Sequence, residues 1–199
     1  MDDKKLTIHY RFFHWGPFLY QSLLTKNELE QIKKLCSKEG EDQRKSLAGL
    51  IKHEHALDRN KVFAIIKPYV ESYVTASIEY SGKPLGGKIE LIKSWVNYMV
   101  AGEFNPIHSH SNDLSFVIFT QIPKDLKNEQ KKTISSGTHP GSLNFLIGLR
   151  QDKNFVSEHS FHPEEGDIYI FPATLHHYAN CFQSKGERIS ISGNLKITD

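Results

Sequence analysis

The segment Asn105-Pro106-Ile107-His108-Ser109-His110-Ser111-Asn112-Asp113 carries two histidines two positions apart, just before an apolar run from Leu114 to Phe119. In an extended chain such residues share a face, so both imidazoles can reach one metal ion. A His-x-His pair also arises in solvated turns, and His53-Glu54-His55 repeats the pattern in the same chain. A further source of histidine follows Glu165-Gly166-Asp167-Ile168-Tyr169-Ile170-Phe171-Pro172, in Leu175-His176-His177. Gly166 makes a turn, a short apolar strand runs to Phe171, and Pro172 ends it. His176 and His177 are neighbours on the next strand and face opposite ways, so only one of them can share a cavity with the first pair. The third piece, Arg188-Ile189-Ser190-Ile191-Ser192-Gly193-Asn194, alternates and puts Arg188, Ser190, Ser192 and Asn194 on one face. Turned to water, that face is an ordinary half-exposed strand. Turned inward, Arg and Ser suit a carboxylate, which a guanidinium grips through two parallel hydrogen bonds.

Such groups need rigid elements behind them. From Lys88 onward the apolar residues take the period of strands, with candidates at 89–100, 114–122, 142–149, 155–161, 167–171, 175–181 and 188–197. Many short strands separated by turn residues predict a sandwich or barrel. The first half reads as helical after a short opening strand at 6–13. Thr25-Lys26-Asn27-Glu28 matches a capping box, and Leu29, Ile32, Leu35 and Cys36 follow at helical spacing up to Gly40. Asp58 caps a second helix with a broad apolar face of Val62, Ile65, Ile66, Tyr69, Val70, Tyr73 and Val74, in which Pro68 is a candidate kink. The polar stretch 124–141 is long for a hairpin connection and reads as a lid or a solvated insertion. The expectation is one domain over 1–199, with a helical support region at 1–87 and a β core at 88–199. The fold class is mainly β with supporting helices (α+β), the N-terminal helices lying on one sheet where Ile189 and Ile191 meet them.

At 199 residues and 38% hydrophobic content the chain buries a sizeable core and is not disordered. A net charge of +2 without an uninterrupted basic run gives nucleic-acid binding no support, and no apolar stretch suits a membrane span. Cys36 and Cys181 lie far apart and read as packed thiols of a reducing compartment, so a cytoplasmic location is expected. Trp95 reads as core, and His53, His55, His139, His159 and His162 as solvated loop residues.

The ordered set Trp95-Val96-Asn97-Tyr98, Gly102, His108-x-His110, Glu165-Gly166-Asp167, Leu175-x-His177 and Arg188-x-Ser190-x-Ser192-x-Asn194 covers about half of the chain. It resembles the 2-oxoglutarate/iron(II) oxygenase superfamily, in particular the prolyl-hydroxylase-like oxygenases of marine bacteria and phages. The resemblance implies a double-stranded β-helix (jelly roll) and an enzyme that uses Fe(II), 2-oxoglutarate and O2, most simply a hydroxylase of unknown substrate. It implies His108, His110 and His177 as iron ligands, with no catalytic residue beyond them. Arg188 would bind the far carboxylate of 2-oxoglutarate with help from Ser190, and Tyr98 would contact the cosubstrate. The superfamily pattern has a carboxylate where His110 stands, and Asp113 is the alternative third ligand. The competing readings are a cupin-like metalloprotein, such as a three-histidine dioxygenase that does not use 2-oxoglutarate, and a non-catalytic β-sandwich binding module. The primary substrate, a requirement for ascorbate and a homodimeric state are left open.

Overall fold

The computed structural model describes residues 16–135, 139–148 and 157–198; the expected strand at 6–13 lies outside them. Two antiparallel sheets face each other. The larger holds β1 (Tyr20–Leu23), β2 (Glu54–Ala56), β3 (Lys88–Met99), β5 (Leu114–Gln121), β8 (Asp167–Pro172) and β10 (Arg188–Thr198), in the order β1-β8-β5-β10-β3-β2. The smaller holds β4 (Asn105–His108), β6 (Leu143–Leu146), β7 (Glu158–Phe161) and β9 (His176–Ala179), in the order β4-β9-β6-β7.

The apolar runs of β5 and β8 are continuous because both faces of the large sheet are covered. Phe116, Ile118, Ile168 and Ile170 turn outward with Ile191 and Leu195, and meet α2 (Arg59–Ser81) through Val62, Ile66, Val70 and Tyr73. Val117, Phe119, Tyr169 and Phe171 turn inward, against Leu143 and Phe145 of the small sheet. Each fully buried Ile or Phe of these layers contributes roughly 1.5–3 kcal/mol. Ile189 and Ile191 lie on the helix side, as the alternation of the sequence predicts.

Thr25 caps α1 (Lys26–Lys33) with both halves of the capping box present. Its companion Glu28 also accepts a 2.6 Å hydrogen bond from the Tyr69 hydroxyl, which ties α1 to α2. Asp58 caps α2 through the Asn60 and Lys61 amides, and the helix runs through the exposed Pro68 to a left-handed Gly82. Several expected elements differ. The first helix stops at Lys33, seven residues before Gly40, because its last turn tightens into bonds from Leu35 and Cys36 to Ile32 and Lys33. The first half is not purely helical, since β1 and β2 extend the large sheet at its two edges. The polar stretch after Lys124 contains α3 (Leu126–Lys132), with Leu126 buried against Ile51, Met99 and Phe182.

At Gly193, in the middle of β10, an added Cβ would lie 2.6 Å from the Phe116 ring and 2.7 Å from the Lys93 carbonyl oxygen. Gly193→Ala therefore overpacks the outer layer and is expected to cost roughly 1–3 kcal/mol. Denaturant unfolding of the variant beside the parent measures the loss, and unchanged stability would contradict this packing.

Candidate metal centre and carboxylate pocket

β4 and β9 pair so that His108 lies directly opposite His177, and their rings are 4.2 Å apart between centroids. Opposed residues of an antiparallel pair project from the same face, so both imidazoles enter the space between the sheets. His110 lies beyond the end of β4. Its amide donates to the Ala173 carbonyl at 2.8 Å, and this bond to the turn between β8 and β9 brings its ring to 5.1 Å from each of the other two. One nitrogen from each of the three side chains lies within 4.8 Å of the others. Strand parity also separates the adjacent histidines, with His177 buried and His176 exposed.

The tautomers follow from the backbone. Nδ1 of His108 sits 2.7 Å from the Pro106 carbonyl oxygen, and Nδ1 of His177 sits 2.9 Å from that of Leu175. A carbonyl only accepts, so Nδ1 carries the proton in both rings and Nε2 keeps its lone pair for a metal. Burial is the main cause that holds all three rings neutral: it lowers His108, takes His110 down to about 4 and takes His177 down to about 3. Three neutral nitrogen donors of this kind suit a divalent transition metal.

The same cavity, about 50 Å³, is lined by Arg188, Ser190 and Ser192 of β10 and by Trp95 and Asn97 of β3. Arg188 is buried; it donates to the Gly141 carbonyl at 2.8 Å and to the Met99 sulfur at 2.8 Å, while its Nε has no partner. Gly141 reaches it in a left-handed conformation, φ 67°, in which a Cβ would collide with Leu126. Among the described residues no carboxylate pairs with this guanidinium. Burying a cation without its counterion is costly, and an anion in this cavity would relieve that cost. Asn97 donates weakly to Ser190 and Ser192 at 3.4 and 3.5 Å, and its carbonyl oxygen is left unpartnered.

His108, His110, His177, Arg188 and Ser190 thus meet in one cavity. Two expected residues do not join them. Tyr98 follows Asn97 on β3 and projects to the opposite face, into the helix-side core, with the Lys38 ammonium 4.7 Å from its ring centre. The resemblance implies Tyr98, but the phase shared by Trp95 and Asn97 points to Asn97 instead. Asp113 is tied to the end of β10, accepting from the Ile197 amide at 2.7 Å and pairing with Lys196 at 3.1 Å, and is not among the converging ligands. Sequence reasoning also missed Asn105, a half-buried residue whose side-chain carbonyl oxygen is buried without a partner, and Glu54. Of the orphaned buried polar atoms among the described residues, all but His55 Nε2 belong to Glu54, Asn97, Asn105 and Arg188, which line this cavity or the one beside it. His53, His159 and His162 are exposed, but His55 is half-buried, its Nδ1 3.0 Å from the Gly40 carbonyl oxygen.

The model of the 2OG-Fe(II) oxygenase family matches residues 93–194, the stretch that supplies every one of the converging groups. No curated protein matches the sequence. Among solved structures, the chain is similar to a Pseudomonas putida prolyl-4-hydroxylase, with a TM-score of 0.59 and 14% identity over 91% of this chain and 93% of that one. It is similar to the viral collagen prolyl hydroxylase of Paramecium Bursaria Chlorella virus-1, solved as its 2OG complex (TM-score 0.57, 12% identity, 92% and 98% covered). HygX from Streptomyces hygroscopicus, solved with nickel and 2-oxoglutarate bound, aligns with a TM-score of 0.54 and 8% identity over 92% of this chain and 83% of its own. At these identities the likeness extends to the jelly-roll fold.

Proposed function

Because the chain belongs to the 2OG-Fe(II) oxygenase family, we propose that His108, His110 and His177 hold its iron and that Arg188, assisted by Ser190, holds the far carboxylate of 2-oxoglutarate. One observation carries this reading: three neutral imidazoles and an unpaired buried guanidinium face the same small cavity. The donor set fits both groups. Three nitrogens would hold the iron without enclosing it, leaving room for a keto acid and O2, and the guanidinium would supply the charge that a dicarboxylate needs at its other end.

Iron and 2-oxoglutarate together supply the activation of O2 and the oxidation of a substrate C–H bond. The chain supplies position. The Pro106 and Leu175 carbonyls fix the His108 and His177 rings, so these ligands need no reorganisation when metal enters. Phe145 and Phe171 pack against the His177 ring and keep water from that side. Arg188 and Ser190 set the depth at which the cosubstrate stops, and Asn97 is a third polar group on that wall.

Hydroxylation is the reaction class the reading favours, and prolyl hydroxylation of a peptide is one option by likeness to the two prolyl hydroxylases. The chain reads as one domain over 1–199, since strands from both halves share the large sheet. The free thiols of Cys36 and Cys181 favour a cytoplasmic enzyme; among the described residues no helix is long and apolar enough to cross a membrane.

Anaerobic titration with Fe(II) and then 2-oxoglutarate tests the assignment through the visible charge-transfer band of the chelated keto acid. Iron bound without the band would favour a three-histidine metalloenzyme that does not use 2-oxoglutarate, and no bound iron would sink the assignment. His110→Asp, which restores the usual carboxylate at this turn, is expected to retain iron and the band. His110→Ala is expected to bind iron at least about tenfold more weakly. Equilibrium dialysis with metal analysis separates the two variants, and equal binding by His110→Ala and the parent would remove His110 from the ligand set.

A further inference from the structure

We propose that Glu54 anchors a positively charged nitrogen of the primary substrate in a slot beside the iron ligands; the inference rests on the oxygenase assignment above. Glu54 lies on β2, the edge strand of the large sheet, and its register partner on β3 is Asn97, which in turn faces Ser190 on β10. Residues in register share a face, so Glu54, Asn97 and Ser190 form one row across the inner surface. At about 4.8 Å per strand, the carboxylate stands roughly two strands from Ser190.

Glu54 is 1% exposed, and neither of its carboxylate oxygens has a hydrogen-bond partner. A carboxyl buried without a hydrogen-bond partner is destabilising, a condition a fold keeps where a ligand relieves it. Glu54 is one of the residues around a cavity of about 130 Å³ whose walls include Leu47, Trp95, Asn105, His108 and His110. At ~30 Å³ per water, that is room for a short alkyl chain with a polar head. The last four of these walls also line the cavity that holds Arg188. His108 and His110, which line both cavities, therefore stand between the Arg188 guanidinium on one side and the Glu54 carboxyl on the other.

That polarity sorts the two organic reactants. The anionic cosubstrate is drawn to Arg188 and repelled from Glu54, while a cationic group meets the reverse preference. Trp95 adds an aromatic wall to the slot, and the Lys93 ammonium already stands 5.6 Å from its ring centre, so this face suits a cation. The charged neighbours of Glu54 are otherwise engaged. Arg44 pairs with Asp42, the Lys93 ammonium donates to Ser46 Oγ at 2.7 Å, and Glu103 accepts from the Lys52 and Val100 amides. Burial, with the Asp42 and Glu103 carboxylates adding to it, raises the Glu54 pKa to about 7, and an entering ammonium would return it to the ionised state.

An amine held here could come from a lysine side chain of a peptide or from a free small amine. The full chain, loaded with Fe(II) and 2-oxoglutarate without oxygen, is titrated calorimetrically with n-butylammonium, with N-acetyl-lysine methylamide and with neutral 1-butanol. At least one cation is expected to bind the parent tenfold or more tightly than it binds Glu54→Gln, with Glu54→Asp between the two and 1-butanol indifferent to the substitution. Binding of the lysine compound alone identifies a peptide source, and binding of n-butylammonium a free amine. If the parent binds neither cation, or binds them no better than Glu54→Gln, the inference is overturned. It is overturned equally if both Glu54 variants lose the charge-transfer band, because Glu54 would then serve the metal site. A parent without the band would instead refute the oxygenase assignment, which separates the two failures.

Discussion

Fe(II) affinity is expected to fall more than about a hundredfold when His177 is replaced by alanine, and to stay unchanged in His176→Ala. The magnitude follows from position. Groups that merely orient a metal-bound histidine are worth about 10–100-fold in affinity, and His177 is itself a proposed ligand, the most buried of the three. Its loss leaves His108 and His110 as an open pair, one held by the Pro106 carbonyl and the other by the turn at Ala173. Metal analysis after anaerobic gel filtration reads the effect. The neighbouring substitution is the control, because it alters the same strand on its exposed side. Iron retention by both variants would place the metal elsewhere.

Arg188→Met is expected to weaken 2-oxoglutarate binding by a factor of about 10² to 10³ or more, because removing one partner of a buried charge pair costs roughly 3–5 kcal/mol. Arg188→Lys keeps the charge but not the planar fork, and should lose at least about tenfold. Iron binding is preserved in both, so the charge-transfer band titrates in at higher 2-oxoglutarate concentration. Stability in the absence of 2-oxoglutarate should move the other way. The parent buries a guanidinium with an orphaned Nε and, among the described residues, no carboxylate beside it, so an apolar side chain of similar length removes a desolvation cost. Against the loss of the bonds to Gly141 and Met99, the net change in Arg188→Met is expected to be small or stabilising. A thermal midpoint that rises with 2-oxoglutarate in the parent and stays flat in the variant completes the test. A large loss of stability with unchanged 2-oxoglutarate binding would make Arg188 a structural residue.

Much of this site is legible in the sequence wherever strand parity and local capping decide the outcome. The alternation through Arg188, Ser190 and Ser192 puts all three on one face, and the adjacency of His176 and His177 means that only one of those imidazoles can face the cavity. Thr25 and Asp58 announce their helices because a cap is satisfied within three residues. Errors enter where distance along the chain is taken for direction in space. The resemblance offers Tyr98, yet it is one residue out of phase with Trp95 and Asn97, and one residue on a strand is the other face of the sheet. Asp113 is close in sequence to both histidines, but the end of β10 claims its carboxylate. Glu54 is the instructive miss. Its strand has three residues, too few for a periodic signal, and its burial comes from pairing with β3, some forty positions away. The His53-Glu54-His55 triplet repeats the metal-binding pattern, and its chemistry resides in the residue between the histidines.

The place of β10 in the large sheet has a kinetic consequence. This strand inserts between β3 and β5, joining Arg188 to Met99 and Leu195 to Leu114 across most of the chain between them. Until it arrives, β3 and β5 each present an unpaired edge with apolar side chains on both faces, the kind of surface that recruits strands from other molecules. Closing such distant pairings is slow, on the scale of about milliseconds to seconds for sheet-rich domains. The strand that delivers Arg188 to the pocket is therefore also the one that closes the barrier between folding and aggregation, so damage to its apolar side, at Ile191 or Leu195, would show first as lost yield of folded protein.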